Sequence, residues 1–159
     1  MIIEYKNKYD EDIKALFLEL QTYIASIDKE KYNIVTNEYR EKYFEKTMQE
    51  IEKYKGKMFL YVEDDKVLGL IVGMIYNEAT SSYDFQTPMR GKITELVVTN
   101  KARGKGIGSK LMQKMENYLK SIGCKGIILD VFAYNETAVR FYKKHGYSAR
   151  LIEMIKTDI

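Results

Sequence analysis

The chain has 159 residues, 45% of them hydrophobic and 31% charged, and this length and composition predict a single domain over residues 1–159 with one sizeable core. Its 26 basic and 23 acidic residues are interspersed and leave a net charge of only +3, which argues against a nucleic-acid-binding module. No apolar run approaches the roughly 18 residues of a membrane span and no signal pattern begins the chain, so we expect a cytoplasmic protein without a membrane partner.

The first half of the chain shows strand-like and helix-like patterns. Alternating or continuous apolar runs indicate strands, and apolar residues three to four positions apart indicate helices. In chain order they predict a strand over residues 2–5, a helix over 13–27, a weaker helix over 39–54, and strands over 58–63 and 67–76. The short Asp64-Asp65 turn between the last two strands predicts an antiparallel hairpin.

The second half begins after a polar stretch, residues 77–90, which contains the only proline, Pro88, and which we interpret as a loop beside the site. The patterns then predict a strand over 93–99, a helix over 107–122, a strand over 126–132, a helix over 136–145 and a last strand over 147–156. Asn135 is suited to begin the second of these helices, and Gly123 and Gly146 to end the two. No linker divides these elements, so we expect one α+β domain with a mixed sheet and helices on its faces.

A glycine-rich, basic turn joins the strand over 93–99 to the helix that follows it. Its residues are Arg103, Gly104, Lys105, Gly106, Ile107, Gly108 and Ser109. Glycines permit close backbone approach, and the free N–H groups at a helix start attract anions, so the turn predicts a phosphate cradle. It is not a Walker A loop, because Ser109-Lys110 stand in the wrong order after Gly108, and its alternate glycines do not fit the dinucleotide fingerprint.

Two motifs at a suitable separation resemble those of the GNAT superfamily of N-acetyltransferases. Arg103, Gly106 and Gly108 match the R/Q-x-x-G-x-G/A signature of the acyl-CoA pyrophosphate loop. The downstream pattern N-x-x-A-x-x-F/Y-Y-x-x-x-G-F/Y is matched by Asn135, Ala138, Phe141-Tyr142 and Gly146-Tyr147. The resemblance is specific from residue 93 to about residue 154. Upstream, where the acceptor is usually recognised, only the order of the elements agrees.

The resemblance implies a GNAT fold, with a mixed sheet of about six to seven strands, flanked by about four helices and splayed open between the strands over 93–99 and 126–132. Acetyl-CoA, the implied co-substrate, would lie in this opening with its pyrophosphate on the turn over 103–109. Its pantetheine arm would follow the backbone of Leu96, Val97 and Val98 and contact Asn135, which also serves as the helix N-cap. Many members of the family dimerise, which leaves open a homodimer through the second helix or the last strand.

Acetyl transfer from a thioester to an amine needs a base, a donor to the developing oxyanion, and a proton for the departing thiolate. By resemblance, Tyr142 gives that proton, and a backbone N–H near Val98, in a bulged strand, meets the oxyanion. Glu95 is the candidate base, because strand alternation places it on one face with Ile93 and Val97, where burial would raise its pKa. The residues alone leave two alternatives open: Tyr142 only packs its helix, and Glu95 faces solvent.

The acceptor amine is predicted only as a class. The acidic and aromatic residues in segments that face the acceptor in this fold suit a cationic amine: Glu38, Glu78, Tyr83 and Asp84. We expect a primary amine of a small molecule. A peptide or protein amine as acceptor, and a non-catalytic acyl-CoA sensor, are the alternatives.

Two residues with reactive side chains are interpreted as structural. The only histidine, His145, precedes a cap glycine, where a cation favours the helix C-terminus. The only cysteine, Cys124, allows no intramolecular disulfide and supplies no metal cluster, and it is most simply a small buried residue. The sequence therefore predicts no metal cofactor.

Overall fold

The computed structural model describes residues 1–76 and 87–157. Its α-helices and strands are β1 (Ile2–Glu4), α1 (Asp10–Ile27), α2 (Tyr39–Lys53), β2 (Lys57–Glu63), β3 (Lys66–Tyr76), β4 (Arg90–Val98), α3 (Ile107–Ser121), β5 (Gly126–Ile128) and α4 (Glu136–Lys144). The four predicted helices are confirmed, and so are the predicted strands up to residue 99, with ends shifted by three residues at most. The hairpin turn is also confirmed, because Asp64 and Asp65 both have positive φ, 50° and 56°, as a tight hairpin turn requires.

The five strands of the described chain form one mixed sheet in the order β1-β2-β3-β4-β5. The first four are antiparallel neighbours, and β5 runs parallel to β4. The pairing of β4 with β5 stops at Lys92 and Ile128, so the rest of β4 as far as Val98 has an edge without a neighbouring strand among the described residues. This opening is the splayed sheet that the family resemblance implied.

Helices cover both faces of the sheet and divide the core in two. One part lies under α1 and α2 and contains Phe17 and Val72. The other lies under α3 and contains Ile71 and Leu119, so successive residues of β3 point to opposite sides. Packing under α3 is close, since a Cβ atom added at Gly91 would lie 2.6 Å from Leu119 Cδ1.

The predictions for the C-terminal part of the sheet are wrong in three respects. The described residues form five strands instead of six to seven, and β5 ends at Ile128 instead of residue 132. The predicted last strand over 147–156 is irregular, with Leu151, Ile152 and Met154 exposed by 81%, 81% and 90%. An apolar run becomes a strand only where a neighbour supplies hydrogen bonds, and within the described chain β5 pairs with β4 alone.

Candidate active site

A β-bulge in β4 decides which way its side chains point. On β3, Val72 pairs with Glu95 and Gly73 pairs with Ile93, so Thr94 is an extra residue without a partner. The extra residue shifts the alternation along β4. Ile93 therefore packs under α3, whereas Glu95 faces α2. The prediction that Ile93 and Glu95 share one face is wrong for this reason.

Glu95 is buried under α2 and bound by a tyrosine. Its side chain lies on the same face as Val97 and is 8% exposed, and its Oε1 accepts a hydrogen bond from the Tyr43 hydroxyl. Burial raises the pKa of Glu95 to about 7, although the hydrogen bond from Tyr43 and the charge of Lys46 lower it; the charge of Glu50 raises it further. A carboxyl group with a pKa near neutrality is suited to take and release a proton. This burial rules out the solvent-facing alternative.

Glu95 lines a cavity of ≈ 400 Å³ that is bounded by α2, β3 and β4. The polar lining from the described residues comprises three carboxylates, two lysines, three tyrosines and two threonines: Glu50, Glu95, Asp130, Lys46, Lys92, Tyr43, Tyr54, Tyr76, Thr47 and Thr94. Lys92 Nζ lies 2.7 Å from Asp130, and Lys46 Nζ lies 3.8 Å from Glu50. The two lysines therefore each face a carboxylate, and ionised Glu95 adds a negative charge that attracts a cation such as an ammonium group.

Tyr142 lies on α4 and packs against the core under α3, outside the lining of the cavity. It is half-buried, and its ring contacts those of Phe141 and Tyr147, with centroids 5.5 and 5.9 Å apart. Burial, and after it the negative charge of Glu95, raises the pKa of Tyr142 to about 12. The two side chains predicted as catalytic are thus within electrostatic reach of each other, and Tyr142 stays protonated, as a proton donor must.

The open edge of β4 presents backbone groups that pair with no strand of the described residues. The Thr99 N–H donates to the β3 backbone at 2.9 Å, so alternation turns the backbone groups of Val98 and Leu96 outward and those of Val97 towards β3. Arg103 Nε donates to the outward Val98 carbonyl at 3.0 Å. Three residues were predicted to contact pantetheine, and of these only Leu96 and Val98 turn their backbone N–H and C=O groups to the open edge of β4. The bulge lies before both of them in the chain.

The glycine-rich turn is open and precedes α3. Gly104 and Gly106 have φ angles of 78° and 74°, which favour glycine, and a Cβ atom at either position would meet no atom within 4 Å. The first helical hydrogen bond of α3 runs from the Lys110 N–H to the Gly106 carbonyl at 3.1 Å. The N–H groups of residues 107–109 are therefore not used by the helix, and this arrangement fits a pyrophosphate group.

The charged side chains of the turn are less directly placed for anion binding than the motif indicates. Besides its bond to Val98, the Arg103 guanidinium lies 4.0 Å from the Glu19 carboxylate and 5.9 Å from the Tyr23 ring centroid, both on α1. Lys105 is exposed to solvent beside the two glycines. In this structure Arg103 thus contacts α1 and β4, and the backbone of the turn is the more direct anion site.

Asn135 caps α4, as predicted. Its Oδ1 accepts hydrogen bonds from the Ala138 N–H and from the Tyr23 hydroxyl, each at 3.2 Å. The second bond joins α4 to α1 across the opening of the sheet. Because Oδ1 already has two donors, the amide N–H groups of Asn135 are the part of its side chain that suits a pantetheine contact.

The acceptor side of the site differs from the prediction. Glu38 does not line the cavity and forms an ion pair with Lys42 at 2.5 Å. The other predicted acceptor residues lie outside the described residues: Glu78, Tyr83 and Asp84. Tyr43 and Glu50 line the cavity but were not predicted as site residues, although their helical spacing places them on one face of α2, because spacing does not distinguish a core from a cavity.

His145 and Cys124 are structural in the described chain. His145 Nδ1 lies 2.8 Å from the Phe141 carbonyl in the last turn of α4, and Cys124 is a buried free thiol. Among residues 1–76 and 87–157, no three His, Cys, Asp or Glu side chains form a potential metal site. No helix in those ranges is long and apolar enough to cross a membrane.

Comparison with known proteins gives one family and several relatives. The model of the Acetyltransferase (GNAT) family matches residues 24–147. Glucosamine 6-phosphate N-acetyltransferase of Arabidopsis thaliana is 28% identical over 122 residues, which are 77% of this chain and 80% of that protein. N-alpha-acetyltransferase 30 of Schizosaccharomyces pombe is 28% identical over 89 residues, 56% of this chain and 55% of that one. A mutant of the BH1408 protein from Bacillus halodurans is similar in structure, with a TM-score of 0.85 over 100% of this chain and 99% of that one, at 20% identity.

Proposed function

The chain belongs to the GNAT family of acetyltransferases, and we propose that it transfers an acetyl group from acetyl-CoA to a primary amine of a small molecule by direct attack in a ternary complex. The observation that carries this proposal is the buried, tyrosine-bound Glu95 on the wall of a cavity beside β4. In this proposal Glu95 is the base, Tyr142 is the proton donor and the glycine-rich turn is the anion cradle.

The residues at the opening suit acetyl-CoA, which supplies an activated thioester when bound. The backbone N–H groups at the start of α3 suit its pyrophosphate, and the outward groups of Leu96 and Val98 suit the amides of its pantetheine arm as an added strand. By the family resemblance, Lys105 would add a contact to the pyrophosphate and the Asn135 amide a contact to the pantetheine arm. Arg103 would leave the Val98 carbonyl when the arm takes its place.

Three groups of the chain each assist a different step of the proposed reaction. Glu95 takes a proton from the incoming ammonium group, directly or through water, and later releases it to solvent. The neutral amine then forms a C–N bond to the acetyl carbon while an outward backbone N–H near Val98 stabilises the charge on the carbonyl oxygen. As the C–S bond breaks, Tyr142 gives its proton to the thiolate and regains one from the newly bonded nitrogen.

The cavity supports a small acceptor. Its volume of ≈ 400 Å³ is in the range of small-molecule sites, and its carboxylates suit an amine. The Arabidopsis relative, by its name, acetylates an amino sugar phosphate. The name of the Schizosaccharomyces relative keeps a peptide α-amine as the second candidate. A non-catalytic sensor is disfavoured because Glu95 and Tyr142 are both present.

The first test is calorimetric titration with acetyl-CoA of the wild type and of Gly106→Glu, which places a negative charge in the cradle. Gly146→Glu is the matched control, since Gly146 also has positive φ, 86°, and open space, but lies after α4. Binding that is lost only in Gly106→Glu supports the cradle. A wild type that does not bind acetyl-CoA overturns the proposal.

The second test is a thiol-release assay with amino sugars, amino acids, diamines and short peptides as acceptors. Release with one small amine class identifies the acceptor, and release with peptides alone selects the second candidate. The sensor becomes the better interpretation if the protein binds acetyl-CoA but releases no thiol with any acceptor.

We also propose that the chain forms a homodimer through its C-terminal segment, residues 147–157. This segment has a strand-like sequence and exposed apolar side chains, and within the described chain β5 leaves its outer edge unpaired. Light scattering should give a dimer for the wild type and a monomer for the variant with Leu151→Asp and Ile152→Asp. A monomeric wild type would exclude this interface. The cytoplasmic location and the lack of nucleic-acid or membrane partners stay predictions.

A further inference from the structure

The base proposed for the reaction depends on a residue from another layer of the fold. Glu95 lies on β4, while the hydroxyl that donates to its Oε1 belongs to Tyr43 on α2, 52 positions earlier in the chain. We propose that Tyr43 is a positioning residue of the reaction: its hydroxyl fixes one oxygen of the Glu95 carboxylate and leaves the other for the acceptor amine. This inference rests on the proposed function and names a residue that neither family motif contains.

The Tyr43 ring is itself held in place by aromatic neighbours. It stacks on Tyr39, with centroids 4.9 Å apart and planes at 16°, and meets the fully buried Phe17 of α1 edge-on at 5.3 Å. Its backbone carbonyl accepts a hydrogen bond from Thr47 Oγ1 at 2.8 Å. Because neighbouring rings contact both the face and the edge of the Tyr43 ring, its side chain loses little conformational freedom when the hydroxyl binds a carboxylate. The aromatic packing thus places the hydroxyl before any substrate arrives.

Several charged and titratable groups lie around Glu95 or line its cavity together with Tyr43. The described ones are Tyr39, Lys46 and Glu50 from α2, Tyr142 from α4, and the Lys92–Asp130 pair that lines the same cavity. The Tyr43 hydrogen bond is the largest of the influences that lower the pKa of Glu95 against burial. Burial and the Glu95 charge raise the pKa of Tyr43 above its usual value, so Tyr43 remains a neutral donor.

The test compares Tyr43→Phe with Tyr39→Phe. Each change removes one hydroxyl and keeps the stacked rings, but only Tyr43 donates to Glu95. Without this hydrogen bond we expect the acidic limb of the pH profile of kcat/KM to move up by about one to two pH units in Tyr43→Phe. At pH values well below the limb, kcat/KM of Tyr43→Phe should be about 10- to 100-fold lower than that of the wild type, and above the limb it should return to near the wild-type value. The KM for acetyl-CoA stays unchanged, and Tyr39→Phe keeps the wild-type limb.

A structural readout makes the outcome independent of turnover. The Glu95 carboxyl carbon is titrated by ¹³C NMR in the free protein, with Glu95→Gln to assign its signal. A midpoint that rises in Tyr43→Phe but not in Tyr39→Phe supports the proposal, and an unchanged midpoint overturns it. The proposal is also overturned if the titration midpoint of Glu95 rises while the acidic limb of the kcat/KM profile does not move, because Tyr43 then controls a carboxyl group that is not the base. If no amine is acetylated, the NMR titration still decides whether Tyr43 controls Glu95, so failure of the proposed function is recognised separately.

Discussion

Replacing Glu95 by Gln should stabilise the protein above neutral pH while it slows acetyl transfer. The pKa of Glu95 is about 7 in the folded protein, compared with 4.5 for an unperturbed glutamate. Between these values the folded state holds more protons than the unfolded state, so stability falls as the pH rises through this window. Compared with a group that stays neutral, Glu95 therefore lowers the free energy of unfolding by about 3 kcal/mol at pH 8 and about 1 kcal/mol at pH 5. Glutamine keeps an acceptor oxygen for Tyr43 and removes the charge.

The measurement is urea unfolding of both proteins at pH 5 and pH 8. The free energy of unfolding of Glu95→Gln minus that of the wild type should rise by about 2 kcal/mol from pH 5 to pH 8, which is about 4 to 8 °C in melting temperature for a domain of this size. Glu136→Gln is the control, because Glu136 is exposed on α4 and should show no such widening. A difference between Glu95→Gln and wild type that is equal at both pH values refutes the burial argument.

Three further changes test other parts of the molecule. Tyr142→Phe should lower kcat by about 10²- to 10⁴-fold without changing acetyl-CoA affinity, because it removes only the proton donor; calorimetry and steady-state kinetics decide, and an unchanged kcat contradicts the role. Asn135→Ala removes the cap of α4 and should cost about 1 kcal/mol in urea unfolding, whereas no loss would mean that the cap contributes nothing. Gly91→Ala should cost about 1 to 3 kcal/mol because its Cβ would lie 2.6 Å from Leu119 Cδ1, and Gly126→Ala, with its nearest atom at 3.8 Å, is the control; equal costs would count against the packing argument.

Features that depend on local chemistry were predictable from the sequence. The positive φ angles of Gly104 and Gly106 and the capping bond of Asn135 follow from what each residue type does at a turn or a helix start. The C-terminal strand was not predictable in the same way, because residues 147–156 have a suitable pattern but no pairing partner within the described chain. A strand is a property of two segments, and pattern within one of them does not contain the other.

The position of Glu95 shows the same limit inside the site. The sequence singled out Glu95 but left its burial open, and its neighbours were not predictable, because the extra residue Thr94 shifts the alternation of β4. Without that shift, Ile93 and Glu95 would share a face, and either the carboxyl would lie in the apolar core under α3 or Ile93 would turn to α2. A lone carboxylate in such a core is costly, whereas under α2 it meets the Tyr43 hydroxyl and a polar cavity. The bulge thus makes the burial of Glu95 compatible with the fold, and it makes the proposed base depend on α2, the part of the chain outside both sequence motifs.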